Sequence, residues 1–153
     1  MGLISTGQQN RIRPKMMTQV VHPKMVAAIG KLLGHALDDL FAQWTALDFG
    51  PDLESLKTQL NQATVSLRQA TDVLKAKDQD IIDYYAIDLT EMAVYIVNSW
   101  LLLQDALVSP RKADLARVYI SEHLYQVRQA GERILESDGL YQEVRDTVLA
   151  DSF

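Results

Sequence analysis

The chain has 153 residues, a formal net charge of −5, 48% hydrophobic and 23% charged residues, and no Cys. That length fits one domain able to bury about 68–70% of its unfolded surface, and the composition excludes global disorder. The lack of Cys excludes a disulfide framework, a thiolate nucleophile and Cys-ligated zinc, and fits a reducing compartment.

Charge is unevenly placed. No acidic residue occurs from Met1 to Leu37, where Arg11, Arg13, Lys15, Lys24 and Lys31 are basic, and all 20 acidic residues follow. A basic lead on an acidic body pairs with that body, or meets an anionic partner or lipid head groups. Nucleic acid is not expected as a partner, because the body is acidic and lacks interleaved aromatic and basic residues. The start lacks the apolar core of a secretory signal. It is acid-free like a mitochondrial transit peptide but not Ser-rich, and Met1 to Thr6 formally fits the short myristoylation pattern. The apolar stretch Met92 to Leu103 is interrupted by Asn98 and Ser99 and falls short of the roughly 20 residues of a membrane span. The chain is therefore expected not to cross a membrane and to be cytoplasmic, or mitochondrial if eukaryotic.

Residues 1–22 read as an irregular basic lead and 23–150 as a helical domain, with no period-2 alternation that predicts a strand. A first helix is expected from Pro23 to about Leu47, with Val26, Ile29, Leu33, Leu37, Leu40 and Trp44 at three- and four-residue steps. Gly50-Pro51 breaks it. The second helix, about Asp52 to Lys77, carries Leu53, Leu56, Leu60, Ala63, Leu67, Ala70 and Leu74, the seam of a helix packed nearly parallel to a neighbour.

A polar break at Lys77 to Asp80 precedes the third helix, about Ile81 to Val108. It is apolar nearly all round, with a narrow stripe of Asp88, Glu91, Asn98 and Asp105 reaching water. Such a helix is central, or is finished by a partner. Ser109-Pro110 restarts the chain as N-cap and first helical residue, and the fourth helix runs to about Glu136 with Leu115, Ile120, Leu124, Val127, Ile134 and Leu135 inward. Gly139 marks a turn before a short fifth helix of Leu140, Val144, Val148 and Leu149. The predicted fold class is all-α: an antiparallel up-down four-helix bundle with a short fifth C-terminal helix.

Reactive constellations are sparse. His22, His35 and His123 have no His or Glu at the spacing of a helical metal site. A di-iron bundle needs Glu-x-x-His pairs, whereas Val94 follows Glu91 and Tyr125 follows Glu122 at that step. His123 lies on the inward row Ala116, Ile120, Val127, Ala130 and Ile134, so a buried neutral imidazole bonded to a Tyr or Asp is expected. Without a positioned nucleophile it gives no support to hydrolysis. Asp88 and Glu91 share a face and read as a hydrated stripe. Gly30 and Gly34 each cost about 0.8–1 kcal/mol inside a helix, which close approach of another backbone offsets; Gly131 reads the same way. No phosphate-binding Gly-rich loop is present.

Val21-His22-Pro23, the run Asp88-Leu89-Thr90-Glu91-Met92-Ala93, the run Trp100-Leu101-Leu102-Leu103-Gln104-Asp105-Ala106 and the stretch from Arg117 to Asp138 resemble the C-terminal helical domain of acyl-CoA dehydrogenases of the very-long-chain type. The resemblance covers roughly residues 20 to 138 and rests on helix-packing patterns. It implies a non-catalytic accessory domain of fatty-acid β-oxidation, with FAD in the parent enzyme and no cofactor in this chain. It also implies docking onto the dehydrogenase body or a partner subunit, assembly as a homo-oligomer and, in some members, peripheral membrane contact. No position matches the family's catalytic glutamate or flavin-binding motifs, so no catalytic residue is carried over. Arg11, Arg13, Lys15, Gly30, Gly34 and Trp100 are the expected interaction residues. The alternatives are an independent helical adaptor that pairs with itself through the third helix, and a small-ligand binder with an apolar pocket near Trp44, Tyr85 and Trp100.

Overall fold

A computed structural model describes residues 34–136 and 140–151. The helices are α1 (His35–Ala46), α2 (Glu54–Lys75), α3 (Gln79–Ala106), α4 (Pro110–Leu135) and α5 (Leu140–Asp151), with no strand among the described residues. The predicted fold class holds. The basic lead with Arg11, Arg13 and Lys15, and the stretch with Gly30, lie outside the described residues.

The largest departure from the sequence expectation concerns Gly34. The apolar spacing predicts it inside the first helix, but it caps α1 with extended backbone (ψ −170°), and its carbonyl accepts the first bonds from Leu37 and Asp38. Starting the helix after Gly34 avoids the interior cost of glycine, and Gly is well tolerated at an N-cap. Ser109-Pro110 restarts the chain as predicted, although the Ser109 hydroxyl makes no capping bond and its carbonyl accepts from Lys112 and Ala113. At the Gly50-Pro51 break, Gly50 has φ +76°, which suits a residue without Cβ, and its N–H donates to Asp48 Oδ1 at 2.9 Å.

Directions follow from the cross-links. Asp38 pairs with Arg68 and Thr45 bonds Asn61, so α1 runs antiparallel to α2. Asp88 with Arg133, Asn98 with Tyr119 and Asp105 with Lys112 set α4 antiparallel to α3. α2 and α4 are parallel, with Ser66 opposite Gly131. Arg145 of α5 reaches Asp80 at the start of α3.

The core runs through the middle of α2, α3 and α4. Leu60, Leu67, Met92, Ile96, Leu103, Ile120 and Ile134 are fully buried. On α2 the seam is turned slightly from the expected row: Thr64 and Thr71 are buried, while Leu56 and Ala63 are half-buried. Each threonine hydroxyl donates to the carbonyl four residues back, at 2.8 Å, which makes its burial tolerable. On α4, Leu115 and Leu135 were expected inward and instead face solvent, because the inward row of this helix is Ala116, Ile120, Val127 and Ile134. α3 is also longer and more apolar than the run Met92 to Leu103 suggested: by length and composition alone it is sufficient to cross a membrane. In this fold its inward side, Leu89, Met92, Ile96, Trp100 and Leu103, belongs to the core.

Candidate functional site

The most elaborate side-chain cluster is aromatic and lies where α1 and α3 meet. Trp44 and Trp100 stack with centroids 6.1 Å apart and planes 9° apart, Phe41 tilts against Trp44, and Phe49 of the α1–α2 link tilts against Trp100. Both indole N–H groups are satisfied: Trp44 donates to Gln104 Oε1 at 2.8 Å and Trp100 to Thr64 Oγ1 at 3.1 Å. Trp100, expected as an interaction residue, has 0% exposure and presents nothing to a partner. The two indoles stack within the core. Phe49 was not singled out by the sequence, because a lone aromatic in a Gly-Pro turn has no periodicity to mark it.

His123 touches the rings of Tyr95 and Tyr119, with centroids at 4.5 and 4.1 Å. Its Nδ1 is buried without a hydrogen-bond partner, so the expected bond to a Tyr or Asp is not made; the Tyr119 hydroxyl instead accepts from Asn98. Asp88 turns to Arg133 of α4 while Glu91 faces water, so the two carboxylates are not aimed at a shared point. No group of three or more His, Asp or Glu side chains among the described residues is placed to hold a metal ion. Between α2 and α4 runs a shallow groove of about 110 Å³ lined by Gln59, Gln62, Ser66, Leu124 and Arg128. That is below the ≈ 300–1,000 Å³ of small-molecule sites.

Two apolar faces point outward. On α3, Ile87, Val94 and Leu101 are exposed, and Val108 is exposed in the turn that follows. On α4, Leu115, Val118 and Tyr125 are exposed, the last two seven residues apart and therefore on one side of the helix. The chemistry these faces offer is contact with another surface.

The family model described as acyl-CoA dehydrogenase C terminal matches residues 34–135. The chain belongs to that family. No curated protein and no solved structure matches it. The matched region of this acyl-CoA dehydrogenase C-terminal domain begins at Gly34, the N-cap of α1, and ends with α4. It contains the tryptophan pair, the His123 cluster and both outward faces, and leaves α5 outside. Within it lie the runs Asp88 to Ala93 and Trp100 to Ala106 that carried the resemblance; Val21-His22-Pro23 lies outside both the match and the described residues.

Proposed function

We propose that this domain is a non-catalytic accessory unit of an FAD-dependent acyl-CoA dehydrogenase, docking onto the enzyme body or a partner subunit through the outer face of α4. The observation that carries this reading is the row Leu115, Val118 and Tyr125, exposed on a helix whose family belongs to a larger enzyme. Apolar residues gathered on one side of a rigid helix gain most by being covered. In this reading FAD and the catalytic glutamate reside in the dehydrogenase body, and this domain contributes a shape held rigid by its core. Arg11, Arg13 and Lys15 serve as the contact to an anionic or membrane surface, and the site of action is the cytoplasm, or the mitochondrion in a eukaryote.

The test is size-exclusion chromatography with light scattering of this chain mixed with an FAD-loaded dehydrogenase body of the family. Co-elution is expected, with loss of co-elution for Val118→Lys/Tyr125→Lys at unchanged helicity. Separate elution of wild type from that body would sink the reading. A second reading, an independent adaptor that pairs with itself, is favoured only by the exposed row on α3. A dimer mass for the chain alone, abolished by Leu101→Lys, would establish it.

A further inference from the structure

The groove between α2 and α4 is lined in a way that defines what it takes. Gln59, Gln62 and Ser66 line it from α2 and Arg128 from α4, over a floor of Ala63, Leu124 and Val127. Steps of three and four residues put each set on one edge of its helix, and Ser66 facing Gly131 brings the two edges close. No carboxylate lines the groove, although the chain carries 20 acidic residues against 15 Lys and Arg. α2 has no Asp or Glu from Ser55 to Thr71. The groove is therefore a patch of hydrogen-bond donors around one cation in an acidic domain. That cation has no opposite charge. Arg68, Arg117, Arg133 and Arg145 each pair with an aspartate, whereas the Arg128 guanidinium makes no ion pair among the described residues. Glu132, one turn further along α4, does not reach it.

We infer that this groove receives one carboxylate on a short apolar stem, the Asp or Glu side chain of a docking partner. A single guanidinium offers two parallel N–H groups, which match the two oxygens of a carboxylate. The Gln62 amide and the Ser66 hydroxyl add neutral donors beside it. A phosphate group brings roughly −1.5 to −2 charges and would find only this one cation. The floor of Ala63, Leu124 and Val127 suits the methylene groups that carry a side-chain carboxylate. At about 110 Å³ the groove takes a side chain and not a larger molecule.

The owner of that side chain follows from position, and here the inference rests on the reading that α4 docks onto the enzyme body or a partner subunit. Tyr125, 61% exposed on the outer face of α4, lies three residues before Arg128 and is its neighbour on the helix surface. A partner covering Val118 and Tyr125 therefore meets the rim of the groove. A free carboxylate of a few atoms binds weakly, whereas one held on a docked surface acts at high effective concentration.

The test has two arms. Propionate, a carboxylate on two carbons, is titrated into the isotope-labelled full chain and followed by NMR. The Arg128 guanidinium and Gln62 amide signals should shift saturably, with a dissociation constant of about 1 mM or weaker. Arg128→Gln should abolish the response, and Arg117→Gln, which removes an arginine already paired with Asp114, should leave it intact. Absence of a saturable shift, an equal response to propionamide, or tighter binding of inorganic phosphate would overturn the inference. In the second arm Arg128→Gln is mixed with the FAD-loaded dehydrogenase body, and its affinity should fall about tenfold. Undiminished affinity of Arg128→Gln, with Val118→Lys/Tyr125→Lys still separating, sinks the groove and leaves docking through α4 standing. Separate elution of wild type, with propionate still saturating the groove, sinks that docking and upholds the carboxylate site.

Discussion

Trp100 donates its indole N–H to the Thr64 hydroxyl, and that hydroxyl in turn donates to the Leu60 carbonyl, giving a relay that is wholly buried between α3 and α2. The threonine oxygen accepts one bond and donates one, so both helices depend on it. Thr64→Val keeps the shape and strands the indole N–H, at a cost of about 1–3 kcal/mol. For a chain of this size that is a fall in Tm of roughly 2–4 °C per kcal/mol, read by thermal melting. Thr64→Ser keeps the oxygen and should lose less. Equal melting of Thr64→Val and wild type would show that the bond contributes nothing.

Gly131 of α4 lies close against side chains of α2 and α3. A Cβ there would stand 2.7 Å from Ser66 Oγ and 3.2 Å from Met92 Cε. Gly131→Ala gains about 0.8–1 kcal/mol of helix propensity but forces the serine side chain out of its place. The single variant should therefore be no more stable than wild type, while Ser66→Ala/Gly131→Ala, which removes the obstacle, should exceed Gly131→Ala by about 1 kcal/mol. Urea midpoints of the two single variants and the double variant give the coupling directly. Additive effects would show that Ser66 is not the obstruction.

Ile120 and Leu115 separate core from surface on one helix. Ile120 is fully buried and Leu115 is 54% exposed. Ile120→Ala should cost about 2–5 kcal/mol, whereas Leu115→Ala should stay within about 0.5 kcal/mol. Chemical denaturation followed by fluorescence of the buried tryptophans measures both. Similar losses would place Leu115 in the core after all.

Ser99 is fully buried and its hydroxyl has no hydrogen-bond partner. A polar group in that state disfavours folding, so Ser99→Ala is expected to be neutral or to stabilise by up to about 1 kcal/mol. A drop in Tm on this substitution would mean that the hydroxyl is satisfied in solution.

Much of this architecture was legible in the chain itself. α2, α3 and α4 announce themselves by apolar periodicity, and Pro110 and Gly50-Pro51 mark their breaks, because proline geometry and positive φ are local properties of the residue. Periodicity fixes spacing better than the direction a face turns. Leu115 and Leu135 fit an inward pattern about as well as Ala116 and Ile134 do, and only the position of the neighbouring helices decides between them. Thr64 and Thr71 look like surface residues until their hydroxyls close onto the helix's own carbonyls. Gly34 kept an apolar rhythm alive in the sequence, but its propensity favoured a cap. The family was readable from packing runs such as Asp88 to Ala93; the placement of Trp100 was not, since a large aromatic suits an interface and a core equally well.

The α1–α2 link has a mechanical consequence. Phe49 anchors that turn to Trp100, and Lys57 holds it from the other side by donating to the Leu47 carbonyl and lying over the Phe49 ring. A nick or insertion there would withdraw a wedge from the hydrophobic interior, even though the stretch resembles an ordinary connector. The α3–α4 junction has no such wedge, and Val108 at its tip faces water. New chain ends or a grafted reporter therefore belong at 107–109, where the scaffold can be opened without disturbing the tryptophan pair.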